Sequence, residues 1–159
     1  KVSAYKKGDA QSSDDSAEVL STRCDVLVLA ALGGVIADAQ DAKALDCKAI
    51  VELANRPVLP AADDALADSG IEVVPDILAN GGGVTVSHAE WVQGRQGIDW
   101  ADEDVSDYLE DTISTAADNV RKVMQERDTD MRTAAYAVAL GRLCAAISAH
   151  GTRADFGKS

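Results

Sequence analysis

The chain has 159 residues, of which 47% are hydrophobic, so it is long enough and apolar enough to bury the core of one domain. Its 27 acidic and 15 basic residues give a net charge of −12, which disfavours nucleic acid and anionic membrane surfaces as partners. No apolar run approaches the roughly 20 residues that a membrane-spanning helix needs.

The excess of acidic residues, mostly aspartate, has two explanations. A high negative charge keeps a protein soluble when salt screens repulsion over short distances, which predicts adaptation to a salty cytoplasm. An ordinary acidic cytosolic protein is the alternative, because net charge affects solubility rather than fold. Cys24, Cys47 and Cys144 are widely spaced and odd in number. They indicate a reduced, cytoplasmic protein with small buried cysteines rather than a disulfide framework or a zinc site.

The first third of the chain predicts two buried strands. Polar residues 8–18 predict a loop that leads into a short helix near Ala17–Thr22. The continuous apolar run Val26–Leu32 predicts a first strand buried on both faces, and Lys48–Asn55 predicts a second buried strand. Between them, the segment "VIADAQDAKAL" predicts a short helix.

A third strand completes the predicted sheet. The segment "AADDALADSG" predicts a helix that ends at Gly70, and a strand follows from Ile71 to about Pro75. Short buried strands that alternate with helices are typical of a parallel sheet with right-handed crossovers. The fold class predicted is therefore α/β, a doubly wound parallel sheet.

The rest of the chain predicts helices only, with no strand after Gly81. Apolar residues recur at helical spacing over Asp102–Glu126, whose acidic first turn favours a helix start. The Ala-rich segment that follows predicts a last helix, with Asp130 as its N-cap and Gly151 as its end.

The ends of the three predicted strands share small and amide residues. In an open parallel sheet, ligands bind outside the carboxyl ends of the strands. The small residues of Ala30–Gly34 would let a flat ring approach the backbone, and Asn55 and Asn80 each offer a donor and an acceptor. The glycines at 81–83 would leave the N–H groups of a helix start unshielded. Taken singly, each feature also fits a simple turn; together they favour a ligand-binding cleft.

Four segments carry a family resemblance: "CDVLVLAALGGVI", "AIVELANRPVLPAADDAL", "VVPDILANGGGVTVSHAEWVQGRQG" and "MRTAAYAVAL". They resemble the carboxyl-terminal part of the hexameric glutamate dehydrogenases of the Glu/Leu/Phe/Val dehydrogenase family, from about residue 23 to 150. The stretch "GGVTVSHAEWVQ" resembles the glutamate type, because leucine and phenylalanine enzymes lack the matching serine and Glu-Trp.

The resemblance implies a reversible oxidative deamination of L-glutamate to 2-oxoglutarate and ammonium, with NAD or NADP as cofactor. It implies an incomplete Rossmann-like sheet in which residues 1–80 form the second part of a dinucleotide-binding domain and residues 81–159 its carboxyl-terminal helices. It also implies a homo-oligomer, a hexamer by family.

The resemblance implies site residues as well. Ala30 and Ala31 would line the nicotinamide side of the cofactor cleft, and Asn55 and Asn80 would bond the nicotinamide ribose or carboxamide.

On the substrate side, the resemblance implies that Val84 and Ser87 face the substrate side chain, with the Ser87 hydroxyl donating to its distal carboxylate. No residue matches the family's catalytic lysine or proton-shuttling aspartate, no G-x-G-x-x-G follows a strand, and no metal site is expected.

Departures from the family pattern are Leu29 in place of proline, Arg56 in place of glycine and His88 in place of an aromatic residue. Arg56 is interpreted as a solvated side chain rather than a phosphate contact, and His88 as a packing substitution rather than a catalyst.

Three hypotheses follow. The favoured one is the carboxyl-terminal segment of a glutamate dehydrogenase, active only within a longer chain. The others are a truncated relict that acts as a non-catalytic assembly module, and a related dehydrogenase with an altered amino-acid substrate.

Overall fold

The computed structural model describes residues 8–151, and that part of the chain forms seven helices and three strands. Residues 1–7 and 152–159, the outer ends of the predicted regions 1–80 and 81–159, lie outside the described part. The elements are, in chain order, α1 (Ser16–Ser21), β1 (Val26–Leu29), α2 (Ala39–Lys43), β2 (Ala49–Glu52), α3 (Pro60–Asp68), β3 (Glu72–Val74), α4 (Asp76–Ala79), α5 (Gly81–Gln96), α6 (Asp102–Arg127) and α7 (Met131–His150).

The predicted parallel α/β sheet is confirmed. The strands lie in the order β1-β2-β3 and all pair in parallel, with Val26 opposite Ala49 and Ala49 opposite Glu72. Both β1 and β2 are shorter than predicted, because the chain leaves the sheet after Leu29 and Glu52 although apolar residues continue. Helices α2 and α3 make the two crossovers.

The prediction that β1 is buried on both faces is wrong. Leu27 and Leu29 are buried, whereas Val26 and Val28 are each 51% exposed. The reason is the distribution of helices. One apolar cluster, which includes residues of α2 and α3, covers one face of the whole sheet. The second cluster, built from α4, α6 and α7, contacts the opposite face at Val74 of β3. Because β3 and β1 are the two edge strands of the sheet, this cluster lies away from β1.

Helix α4 was not predicted, and it changes the position of Asn80. The third strand ends at Val74, so Asn80 lies at the junction of α4 and α5 rather than at a strand end. The backbone N–H of Asp76 donates to Glu52 Oε2 at 2.8 Å, and Asp76 Oδ1 accepts from the N–H of Ile77 at 2.7 Å. These carboxylates satisfy the N–H groups that a helix start leaves free, which explains a helical turn there.

The two predicted carboxyl-terminal helices are confirmed as α6 and α7. Asp130 Oδ1 accepts from the N–H of Thr133 at 2.9 Å, and Gly151 ends α7 with φ +75°. Tyr136 on α7 is 47% exposed, since α7 packs through its Ala134 and Ala135 side.

Cys144 is likewise exposed rather than buried, while Cys24 and Cys47 are half-buried, and all three are free thiols. Within residues 8–151, every helix is too short or too polar to cross a membrane.

Candidate functional site

An open cleft of about 650 Å³ lies at the carboxyl edge of the sheet. The loops after β1 and β2 form two of its walls, and the α4–α5 junction with the start of α5 forms the third. Its lining residues are mostly small or apolar, with two amides: Ala31, Leu32, Gly33, Leu53, Ala54, Asn55, Asn80 and Val84. A cleft beyond the carboxyl ends of parallel strands is where ligands bind in this fold class.

The structure brings four of the predicted site residues to this cleft and leaves two outside its lining. Ala31, Asn55, Asn80 and Val84 line the cleft, and Val84 is 71% exposed on the first turn of α5. Ala30 is an exposed residue directly after β1, outside the lining set.

Ser87 also lies outside the lining set. It follows Val84 by one helical turn and is exposed, so the two residues lie on one side of α5. The side of α5 that carries Val84 and Ser87 is therefore accessible to a ligand that extends beyond the cleft.

The two asparagines form a direct pair. Asn80 Nδ2 donates to Asn55 Oδ1 at 2.8 Å, although the residues are 25 positions apart. The bond occupies one donor of Asn80 and one acceptor lone pair of Asn55. Each amide therefore keeps at least one donor and one acceptor for a ligand, and the bond fixes the direction of both.

The walls made by the first two loops depend on a glycine. A Cβ on Gly33 would lie 2.8 Å from the carbonyl oxygen of Asn55. The next residue, Gly34, has φ +69° and donates its N–H to the carbonyl of Arg56 at 2.8 Å. The β1 and β2 loops therefore touch backbone to backbone, a contact that leaves no room for a side chain at residue 33.

The glycine run of 81–83 starts a helix as predicted, but this helix follows α4 rather than a strand. The three residues form the first turn of α5. A Cβ on Gly81 or Gly82 would meet a methyl group of α6, at 3.6 Å from Ile113 Cδ1 and 3.5 Å from Leu109 Cδ1 respectively, which is ordinary van der Waals contact. Around Gly83 there is open space, so this is the position of the run where backbone is bare towards solvent.

Behind the cleft lies a cluster of charged residues. The Arg132 guanidinium donates to Glu52 Oε1 at 2.8 Å and to Glu52 Oε2 at 2.9 Å, and to Asp63 Oδ1 at 3.3 Å. Asp76 Oδ1 lies 4.0 Å from Arg132 Nη1. Hydrogen bonds to Glu52 raise the pKa of Arg132, and burial raises the pKa of Asp63 although Arg132 opposes that rise. The arginine is therefore permanently charged, with three carboxylates around it.

Sequence reasoning missed this cluster, although a signal exists. Glu52 interrupts the apolar run "AIVEL", and Arg132 interrupts the apolar pattern of "MRTAAYAVAL". Charged residues are seldom fully buried unless they are paired, so opposite charges in two core segments indicate a buried ion pair.

His88 packs against aromatic residues. Its Nδ1 lies 3.0 Å from the Tyr108 hydroxyl, and its ring centroid lies 5.8 Å from that of Trp91. Trp91 itself is exposed, so it is not part of the core. Arg56 is also exposed, with a left-handed backbone at φ +49°. Within residues 8–151, no three His, Cys, Asp or Glu side chains are placed to hold a metal ion.

Fold and site together define an α/β domain of Rossmann-like fold, with an open cleft at the carboxyl edge of a parallel sheet. The model of the Glutamate/Leucine/Phenylalanine/Valine dehydrogenase family matches residues 1–151. The chain belongs to that family.

Individual relatives agree with this assignment. The chain is 47% identical over 138 residues to the NADP-specific glutamate dehydrogenase of Synechocystis sp., covering 87% of this chain and 32% of that protein. It is 42% identical over 152 residues to NADP-specific glutamate dehydrogenase A1 of Halobacterium salinarum, covering 95% of this chain and 36% of the relative.

A solved structure matches as well, the hetero-hexameric glutamate dehydrogenase of Thermus thermophilus in a leucine-bound form. It superimposes with a TM-score of 0.80 at 36% identity, over 86% of this chain and 32% of that one. The chain thus spans about a third of the length of these relatives.

Proposed function

We propose that the chain is the carboxyl-terminal segment of a glutamate dehydrogenase that interconverts L-glutamate with 2-oxoglutarate and ammonium, using NAD or NADP. The observation that carries the proposal is the hydrogen-bonded Asn55–Asn80 pair in the lining of the cleft. Residues 1–80 then belong to the second part of the dinucleotide-binding domain and residues 81–159 to its carboxyl-terminal helices. The identities to named glutamate dehydrogenases support the substrate.

The cleft suits the nicotinamide end of the cofactor. When bound, the nicotinamide ring exchanges a hydride with the substrate, so the protein must fix its face and position. Small residues, among them Ala31 and Gly33, leave room for a flat ring beside the backbone. The Asn55 and Asn80 amides match the donors and acceptors of a carboxamide or of ribose hydroxyls. Ala30 lies next to Ala31 but outside the cleft lining, and we propose that a bound nicotinamide extends to it.

The exposed face of α5 is the proposed substrate wall. Val84 lines the cleft, and Ser87 lies one turn further along the helix. The Ser87 hydroxyl donates to the distal carboxylate of glutamate. Once a bound substrate covers this exposed hydroxyl, an aliphatic side chain would leave it without a hydrogen-bond partner, so the contact selects a carboxylate. The catalytic acid–base groups come from outside this segment. The complete enzyme assembles as a homo-oligomer.

The test uses the complete gene product that contains this segment. NADH- and NADPH-dependent reductive amination of 2-oxoglutarate is measured for the native protein, for Asn80→Ala and for a control, Asn119→Ala. Asn119 is an amide on α6 that bonds only Thr115 among the described residues. We expect about a tenfold rise in cofactor KM for Asn80→Ala, the effect of roughly 1.4 kcal/mol, and none for the control.

Three outcomes overturn the proposal. A folded complete gene product without activity towards glutamate, leucine or phenylalanine favours the non-catalytic relict. Higher activity with leucine or phenylalanine than with glutamate favours the altered-substrate dehydrogenase. The isolated 159-residue chain is expected to show no turnover, and turnover by it would contradict a role as one segment of the enzyme.

A further inference from the structure

We infer that Arg132 is a positioning residue for the cleft, acting through Glu52 and Asp76 on the Asn55–Asn80 pair. Arg132 lies on α7 and does not line the cleft. The proposed role of Arg132 is to hold the two amides in a fixed direction. Only its second test, on cofactor affinity, rests on the proposed function.

The first link is the ion pair between α7 and β2. Arg132 makes two hydrogen bonds to the Glu52 carboxylate, whose side chain is 0% exposed while that of Arg132 is 20% exposed. Two parallel N–H···O bonds fix both the distance and the plane of the carboxylate. Without the guanidinium, Glu52 would be a buried charge without its cationic partner, so its carboxylate would move.

The second link joins Glu52 to Asp76. The oxygen Oε2 that accepts from Arg132 also accepts from the backbone N–H of Asp76 at 2.8 Å. This bond fixes the start of α4, where Asp76 is the first residue. A change in the orientation of the Glu52 carboxylate therefore moves Asp76.

The third link connects Asp76 to both amides. Asp76 Oδ2 accepts from the N–H of Arg56 at 2.8 Å, next to Asn55. The carbonyl of Asp76 accepts from the N–H of Asn80 at 3.0 Å. Asp76 thus holds the backbone next to Asn55 and at Asn80. The hydrogen bond from Asn80 to Asn55 closes these contacts into a ring.

The backbone at Arg56 shows why such a clamp is needed. Its φ of +49° is uncommon for a residue with a side chain. Surrounding contacts must hold such a conformation, and here they are the Asp76 carboxylate at the N–H of Arg56 and Gly34 at its carbonyl. If the carboxylate is lost, the turn is free to relax, and the Asn55 amide changes its direction in the cleft.

Hydrogen exchange in the complete gene product tests the clamp directly. The variants are Arg132→Met, Arg132→Lys, which keeps the charge but not the two-pronged geometry, and the control Arg121→Met. Arg121 pairs with Asp118 on the exposed side of α6. We expect about tenfold faster exchange in peptides covering 52–57 and 76–81 for Arg132→Met, a smaller rise for Arg132→Lys and none for the control. Unchanged exchange in these peptides, or an equal rise throughout residues 8–151, would overturn the inference.

Coupling to cofactor binding separates positioning from general stabilisation. NADH and NADPH affinities are measured by nicotinamide fluorescence for Arg132→Met in the native and in the Asn80→Ala background. We expect about a tenfold loss in the native background and less than about threefold once the Asn80 amide is absent. Equal losses in both backgrounds would show that Arg132 does not act through the pair. A native protein that binds neither cofactor would instead refute the proposed function, and the exchange experiment would still decide the role of Arg132.

Discussion

Gly33 and the carbonyl of Asn55 approach so closely that a Cβ on residue 33 would lie 2.8 Å from that oxygen. Real side-chain carbons do not reach this distance from a backbone oxygen, so the contact requires glycine. It joins the loop after β1 to the loop after β2, and these loops form two walls of the cleft. The shape of the cleft therefore depends on the absence of one methyl group.

Substituting Gly33→Ala is expected to separate these two loops. The added methyl would meet backbone, which cannot rotate away, so we expect a loss of about 1–3 kcal/mol in stability and weaker binding of NAD(P)H. Apparent melting temperature and nicotinamide fluorescence measure the two effects. Gly94→Ala is the control, because a Cβ there meets nothing within 4 Å. Native affinity in Gly33→Ala would show that the loop contact does not shape the cleft.

Gly83→Ala tests whether a ligand approaches the start of α5. Residue 83 is helical and its Cβ would point into open space, so alanine should stabilise the helix by about 0.5–1 kcal/mol. Gly94→Ala should give a similar gain on the same helix. Only Gly83→Ala is expected to weaken cofactor or substrate binding. Residue 83 directly precedes Val84, which lines the cleft, whereas residue 94 lies near the other end of α5. If both variants keep native Kd and KM values, the glycine is not required for ligand approach.

Local patterns predicted most of the secondary structure. The predicted helix Asp102–Glu126 ends one residue before α6 does. It could be predicted because acidic residues at a helix start and apolar residues at helical spacing are local signals. Strand ends were predicted too late, since Leu32 and Leu53 are apolar but line a cleft instead of continuing the sheet.

The site could be predicted only as far as topology determines it. The rule that parallel strand ends share one edge predicted that Asn55 and Asn80 line the same cleft, although Asn80 follows α4 rather than a strand. It did not predict their hydrogen bond, nor α4 between β3 and Asn80. The pairing of Arg132 with Glu52 spans 80 residues and depends on how α7 docks, which no local pattern specifies.

Ser87→Val tests the proposed substrate contact. Removal of the hydroxyl leaves the distal carboxylate of glutamate without a donor, so we expect kcat/KM for glutamate to fall by about 10- to 100-fold, the effect of a lost hydrogen bond to a charged group. The KM for NAD(P)H should stay near native. Ser114→Val, an exposed serine on α6, is the control in steady-state assays. An unchanged kcat/KM for glutamate would remove Ser87 from the substrate site.

The net charge of −12 predicts that salt stabilises the protein. The screening length falls from about 10 Å at 0.1 M to about 3 Å at 1 M salt, which weakens repulsion between exposed carboxylates. We expect the apparent melting temperature to rise between 0.1 M and 2 M KCl. The triple variant Asp107→Asn, Glu110→Gln and Asp111→Asn removes exposed charges from α6 and should gain less from KCl. Equal melting temperatures at both concentrations would refute adaptation to salt.

Asp130 at the start of α7 predicts a specific acid sensitivity. Burial alone would raise the pKa of Asp130, but the hydrogen bonds donated by Thr133, together with those from the backbone N–H groups of Asp130 and Arg132, outweigh burial and hold that pKa below its ordinary value. A group whose pKa is lowered by folding stabilises the folded state above its unfolded pKa, about 3.9 for aspartate, and that contribution is lost as pH falls through the folded value. Asp130→Ala should therefore cost about 1 kcal/mol at pH 7 through loss of the helix cap.

Asp130→Asn separates the cap from the charge, because an asparagine oxygen still accepts from the N–H of Thr133 but does not titrate in acid. Melting temperatures are compared for the native protein and this variant between pH 7 and pH 3. We expect nearly equal values at pH 7, and below about pH 4 the native protein should lose more stability than Asp130→Asn, since only the native cap takes up a proton. Parallel curves over the whole range would show that Asp130 contributes no proton-linked stability.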